Sequence, residues 1–200
     1  MKFDYIENKI VIHDKVISKL DKFVLDFMNI LSKYTKYVIV SGYVPIFFGR
    51  TRGTEDIDVI IEHIDKNTFV SLYDALRAKN YYFMNPENVN GLYEMLEQGL
   101  RIRAAKVDTI IPNVEIKFLK DDFDSYSLKE RVEVSINDKK SLFLSKIELE
   151  IPYKLYLGSE KDIEDATYLW DIFKDKIDIN LLKSFMKKLN VTGKQYGINV

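Results

Sequence analysis

Apolar residues fall at 16, 17, 20, 23, 24, 27, 28, 30 and 31, a spacing that predicts an amphipathic helix over Asp14 to Tyr34, with Asp14 as N-cap. Tyr37 to Val40 is a short uninterrupted apolar run, read as a buried strand. Pro45 suits the first turn of a helix that ends near Gly49. A second strand is expected over Asp56 to Glu62, and an amphipathic helix over Asn67 to Lys79. Asn85 to Asn90 is a turn-rich break. Leu100 to Lys106 and Val114 to Leu119 alternate like two strands around Pro112-Asn113. Val132 to Ile136 and Leu142 to Leu144 read as a hairpin across Asn137-Asp138. From Ser145 the period turns helical, opening on a capping-box spacing Ser145-x-x-Glu148 and continuing through Pro152 to Leu157, Ile163 to Phe173 and Leu181 to Leu189. The expected organisation is an α/β core over 1–140 and a helical part over 141–200.

Composition narrows the function classes. The 200 residues are 46% hydrophobic and 30% charged, the balance of a globular chain, with a formal charge of −1. No global basic field announces nucleic acid, which leaves only local basic patches; Arg101, Arg103 and Lys106 read first as a solvated strand face and second as a track for an RNA backbone. Without cysteine there is neither a disulfide nor a thiolate metal site. No apolar run reaches membrane-spanning length, and the expected location is the cytoplasm.

The chemistry concentrates in VSGYVPIFFGRTRGTEDIDVIIE, Val40 to Glu62. Residues i and i+2 of a strand share a face, so Asp56 and Asp58 point one way and Ile57 and Val59 the other. Two carboxylates about 4 Å apart repel by roughly 4 kcal/mol at an effective dielectric near 20. A divalent cation offsets that cost, and oxygen-only ligands suit Mg2+ or Mn2+. Glu115, in NVEIKFL, is a third acid inside an apolar strand. Three such acids from adjacent strands would suit a two-metal phosphoryl-transfer site.

The small pair Ser41-Gly42 at a strand end, then Arg52-x-Thr54-x-Asp56-x-Asp58, then an acid on a separate strand, resembles the DNA polymerase β-like nucleotidyltransferases. Among these it is most similar to small prokaryotic members related to AbiE-type abortive-infection toxins. IPYKLYLGSEKDIEDATYL, with Lys154, Lys161-Asp162 and Asp165, resembles the downstream half of the pattern. Three positions depart: Ser-Gly stands for Gly-Gly or Gly-Ser, Pro152 falls in a helix that should be continuous, and the third acid is Glu in place of Asp.

The resemblance implies an α+β fold, a mixed β-sheet flanked by helices with a helical C-terminal half. It implies transfer of NMP from an NTP to a hydroxyl acceptor: a tRNA end, a protein or a small molecule. Ser41, Gly42, Arg52, Thr54, Lys154 and Asp162 would contact the nucleotide. Asp56, Asp58 and Glu115 would bind Mg2+ or Mn2+ and carry the catalysis. Arg52 would pair with a phosphate or orient an acid, and the helix near Pro45 would turn its positive end to the anion. An antitoxin partner follows from the toxin resemblance. Two alternatives stand beside this one: a catalytically silent member serving as a binding module, and an unrelated phosphoryl-transfer or metal-binding α/β protein.

Overall fold

A computed structural model describes residues 2–137 and 140–200. In chain order the strands are β1 (Lys2–Ile6), β2 (Lys9–His13), β3 (Tyr37–Val40), β4 (Asp56–Ile61), β5 (Tyr81–Phe83), β6 (Ile102–Lys106), β7 (Asn113–Phe118), β8 (Val132–Ile136) and β9 (Lys140–Leu144). The helices are α1 (Lys19–Leu31), α2 (Tyr43–Phe47), α3 (Lys66–Arg77), α4 (Val89–Glu97), α5 (Asp122–Lys129), α6 (Ile147–Leu157), α7 (Glu160–Phe173) and α8 (Ile179–Lys188). The strands form one nine-stranded mixed sheet in the order β1-β2-β8-β9-β3-β4-β7-β6-β5. This is the mixed sheet with flanking helices and a helical C-terminal half that was expected. The β8–β9 hairpin pairs antiparallel, and of its expected turn residues Asp138 lies outside the described residues.

The alternation of β4 and β7 decides which face becomes core. Ile57, Val59, Ile61, Val114, Ile116 and Phe118 are buried with the apolar stripes of α1, α3 and α4, including Phe27, Leu72 and Leu96. On the other face α5 places Leu128 against Val38 and Ile60. The helical part adds its own packing, with Ile151, Leu155, Ala166, Leu169 and Leu182 buried in the main core.

Several element ends differ from expectation, for identifiable reasons. α1 begins at Lys19, and its N-cap is Ser18 rather than Asp14. Asp14 sits at φ 55°, a left-handed conformation that takes it out of the helix path. Ser18 and Asp21 form a reciprocal capping box, with Asp21 N to Ser18 Oγ at 3.0 Å and Ser18 N to Asp21 Oδ2 at 2.9 Å. Asp21 also accepts from the Tyr43 hydroxyl at 2.7 Å and pairs with Lys15 at 3.2 Å, which anchors α2 to the start of α1. The capping box expected at Ser145 is absent: Lys146 is the N-cap of α6, and Glu148 instead accepts from the Asp178 backbone at 3.0 Å and from the Tyr5 hydroxyl at 3.3 Å. Pro152 lies inside α6 without ending it. The strands β1, β2 and β5 and the helices α4 and α5 are additional to the sequence pattern.

Replacing Ser18 by Ala removes the side-chain half of the capping box and is expected to cost about 1 kcal/mol, read from denaturant midpoints at constant slope. The exposed Asp14→Gly change, which suits the left-handed backbone, should leave stability within about 0.5 kcal/mol or raise it.

Candidate active site

β4 and β7 pair in parallel, and their register sets Asp58 opposite Glu115 and Asp56 opposite Asn113. β6 pairs antiparallel with β7 and sets Arg103 opposite Glu115. The acids therefore share one sheet face with Arg103, while Lys106 falls on the other face, where its ammonium stands 3.9 Å from the Tyr81 ring centroid. Arg101, Arg103 and Lys106 form no common stripe.

The two arginines are spoken for. Arg101 Nη1 donates to Asp58 Oδ1 at 3.1 Å and to Glu115 Oε1 at 2.8 Å. Arg103 Nε donates to Glu115 Oε2 at 3.1 Å. The Glu115 side chain is only 5% exposed. Burial pushes the Asp58 carboxyl above its usual range, with Arg101 pulling the other way.

The Ser41-Gly42 turn differs from a simple flexible pair. Ser41, not Gly42, carries the left-handed backbone, at φ 64°. Gly42 is helical at φ −62°, and its glycine lets Arg52 approach closely: a Cβ would lie 3.0 Å from Arg52 Nη2 and push it aside by a few tenths of an ångström. The Ser41 N–H points at both oxygens of Glu150, at 3.2 Å each. Burial pushes the Glu150 carboxyl from 4.5 up to about 7, against the pull of Lys154. α2 is only five residues long, so it offers less of a macrodipole than the sequence suggested.

Arg52 orients an acid. Its Nε and Nη2 grip Asp165 at 2.9 and 2.7 Å, and Nη2 also donates to the Gly42 carbonyl at 3.3 Å. Thr54 Oγ1 donates to the Asp56 carbonyl at 2.9 Å, fixing the entry to β4. Lys154 is fully buried, with its ammonium 2.9 Å from Asp165 and 3.6 Å from Asp162. A phosphate would have to displace those carboxylates to reach it. Asp162 accepts from the Ser159 hydroxyl and belongs to the start of α7. Burial pushes the Asp165 carboxyl up, but the bonds from Arg52 and Lys154 outweigh it and hold it below the usual range. Lys161 is exposed.

Beside the acids lies a cavity of about 250 Å³ between this sheet face and α5 and α6. Asp58, Glu115 and Glu150 line one side, and Phe123, Tyr153 and Leu157 another. The Lys117–Asp124 ion pair, at 2.7 Å, closes one wall. Sequence reasoning did not find Glu150 or Asp124: Glu150 shows one signal, an acid between apolar neighbours of α6, whereas Asp124 sits in a polar, acid-rich run that gives none.

Among the described residues no group of three acids or histidines has the arrangement of a metal site. The donor chemistry still suits one hard cation: Asp56 and Asp58 are adjacent carboxylates on one strand face, and Mg2+ is commonly held by one or two carboxylates together with substrate phosphates. Glu115 does not fit as a further ligand while both its oxygens accept from guanidinium groups. A divalent ion about 4 Å from a guanidinium would be repelled by roughly 8 kcal/mol at an effective dielectric near 20.

No protein-family model matches the chain, and no curated protein matches it in sequence. Its fold does match solved structures. The antibiotic-resistance factor ANT(2'')-Ia aligns over 91% of this chain and 95% of its own, at 11% identity and a TM-score of 0.53. An antigenic nucleotidyltransferase-like protein from Paracoccidioides brasiliensis aligns over 84% of this chain and 85% of its own, at 16% identity and a TM-score of 0.51. The architecture is thus that of nucleotidyltransferase folds. Among the described residues no helix is long and apolar enough to cross a membrane.

Two outcomes follow from these contacts. Asp165→Ala strands the buried Lys154 ammonium and frees Arg52, so it should cost about 3–5 kcal/mol in denaturant unfolding. Glu150 is held neutral by the fold, so its stabilising contribution is complete below about pH 4.5 and is lost as pH rises through about 7. Unfolding free energy should fall across that window, and Glu150→Gln should flatten the fall.

Proposed function

We propose that the chain is a metal-dependent nucleotidyltransferase that moves NMP from an NTP to a hydroxyl acceptor. The observation that carries this reading is the parallel β4–β7 register, which sets Asp58 beside Glu115 next to the Ser41-Gly42 turn, within a fold shared with nucleotidyltransferases. Asp56 and Asp58 would hold the ion, Mg2+ or Mn2+. Bound there, it would neutralise phosphate charge and polarise the α-phosphate. The acceptor oxygen forms its bond to the α-phosphorus as the bond to the β-phosphate bridging oxygen breaks. Pyrophosphate leaves, and the hydroxyl proton passes to solvent through the cavity, while Glu115, with both oxygens accepting from guanidiniums, holds Arg101 and Arg103 beside it.

In this reading Arg52, Lys154, Asp162 and Asp165 position the site without touching the nucleotide. They clamp the Gly42 turn to α7 and α6, and the nucleotide meets Ser41, Gly42 and Thr54 on the clamped loop. The acceptor reading moves away from RNA. Arg101 and Arg103 are tied to acids, Lys106 lies on the opposite face, and Lys154 is buried. The cavity beside the acids, part apolar and part acidic, is sized for a small-molecule hydroxyl. The Arg52-to-Asp58 motif supports kinship with AbiE-type toxins, and with it an antitoxin partner. One observation favours the silent binding module instead: the Ser41 N–H, an expected phosphate donor, is already taken by Glu150.

Incubation with α-phosphate-labelled NTPs, Mg2+ and the small-molecule, RNA and protein fractions of a cell extract decides between these. Label is expected in the small-molecule fraction and should fall to background with EDTA or Asp56→Ala. Label in no fraction, identical for Asp56→Ala, would establish the silent module. Label in RNA or protein would overturn the acceptor reading alone.

A further inference from the structure

We infer that Arg101 takes the place of a second cation, so that the site works with one divalent ion and a built-in guanidinium. The inference rests on the nucleotidyltransferase reading above. Its basis is the position of one nitrogen: Arg101 Nη1 lies within hydrogen-bond distance of both Asp58 and Glu115, at 3.1 and 2.8 Å, bridging the two strands as a shared ion would. Arg103 closes the other oxygen of Glu115 at 3.1 Å. Three carboxylates against two guanidiniums leave one formal negative charge, and among the described residues Asp56 has no ion-pair partner. The residual acidity is therefore at Asp56 and the adjoining side of Asp58, where one ion and the nucleotide phosphates would sit.

The arginines are placed by the backbone rather than by chance. Arg103 is the cross-strand partner of Glu115, and Asn85 fastens the segment: its Oδ1 accepts from Arg103 N at 2.7 Å, and its Nδ2 donates to the Arg101 carbonyl at 3.5 Å. A guanidinium stays charged at every working pH and has a planar fork of five donors. Among the described residues only Nη1 of Arg101 is engaged, which leaves Nε and Nη2 to meet a phosphate oxygen as charge shifts toward pyrophosphate. The Arg101 side chain is 51% exposed, so replacing it does not open the core.

The count of bound ions tests this. Protein in slight excess over an α,β-methylene NTP analogue is titrated with Mn2+, and free Mn2+ is read by its electron paramagnetic resonance signal. Wild type should saturate at one ion per complex, Arg101→Ala at two, and Arg101→Lys at one. Arg101→Gln, which keeps the side-chain bulk without the charge, should also reach two, and melting temperatures report whether each variant is folded. Two ions in the wild type, or one or none in both uncharged variants, would overturn the inference while leaving the nucleotidyltransferase reading intact. Failure of the wild type to retain the Mn2+–nucleotide complex at all, with Asp56→Ala indistinguishable from it, would overturn both.

Discussion

Asp165 is the charge on which the geometry around the site depends. Its carboxylate, fully buried, accepts from Arg52 and Lys154 and lies 2.6 Å from Arg50 Nε. Through Arg52 it fixes the Gly42 turn, and through Lys154 it fixes α6, which carries Glu150 back to the Ser41 N–H. Removing a single partner from such a buried cluster leaves another charge uncompensated, which is why these residues act as a unit. The segment from Phe48 to Glu55, between α2 and β4, is thereby tethered although it has no regular secondary structure. A long glycine-containing loop needs such a tether if the strand end and the acids are to keep one separation.

Charge balance gives the acid face a second constraint. Opposed carboxylates on paired strands are destabilising unless compensated. β6 supplies the compensation through Arg103, directly across from Glu115, and Arg101 extends it to Asp58. The sheet can therefore form before any ligand arrives. The same pairing makes the surroundings of Glu115 different from those of Asp56, although both are acids in apolar strands.

The legible parts of the sequence were those set by local period. Asp56, Asp58 and Glu115 stand out because they interrupt runs that should bury side chains, and the helices α1, α3, α7 and α8 show clear apolar stripes. What was hidden is non-local. The register that opposes Asp58 to Glu115 joins strands more than fifty residues apart, and nothing in either strand announces it. Likewise Arg101 and Arg103 read as a solvated or RNA-facing pair until β6 is laid against β7. Lys154, expected against the nucleotide, is instead buried, because its partners Asp162 and Asp165 come from α7 and Asp165 is held in turn by Arg52 from the segment before β4. Asp14 and Ser18 are both good N-caps by type, and the choice between them is made by the chain path, since Asn137 Oδ1 accepts from the Lys15 N–H at 3.1 Å. The helices α4 and α5 were missed because their first turns, after Asn88 and Asp121, carry the same polar residues that mark loops.

The two faces of the sheet explain how an acidic site coexists with a continuous core. Because side chains alternate, the acids at 56, 58 and 115 leave 57, 59, 114 and 116 free to pack under α1, α3 and α4. The polar row therefore removes little from the main core. Its cost falls on the other face, where, among the described residues, a small buried apolar cluster is formed by Val38, Ile60 and Leu128. That smaller contact leaves room for the cavity between the acids, α5 and α6. The feature that weakens packing on this face is thus the one that leaves the acids open to the cavity, and α6, tethered through Lys154, forms the opposite wall.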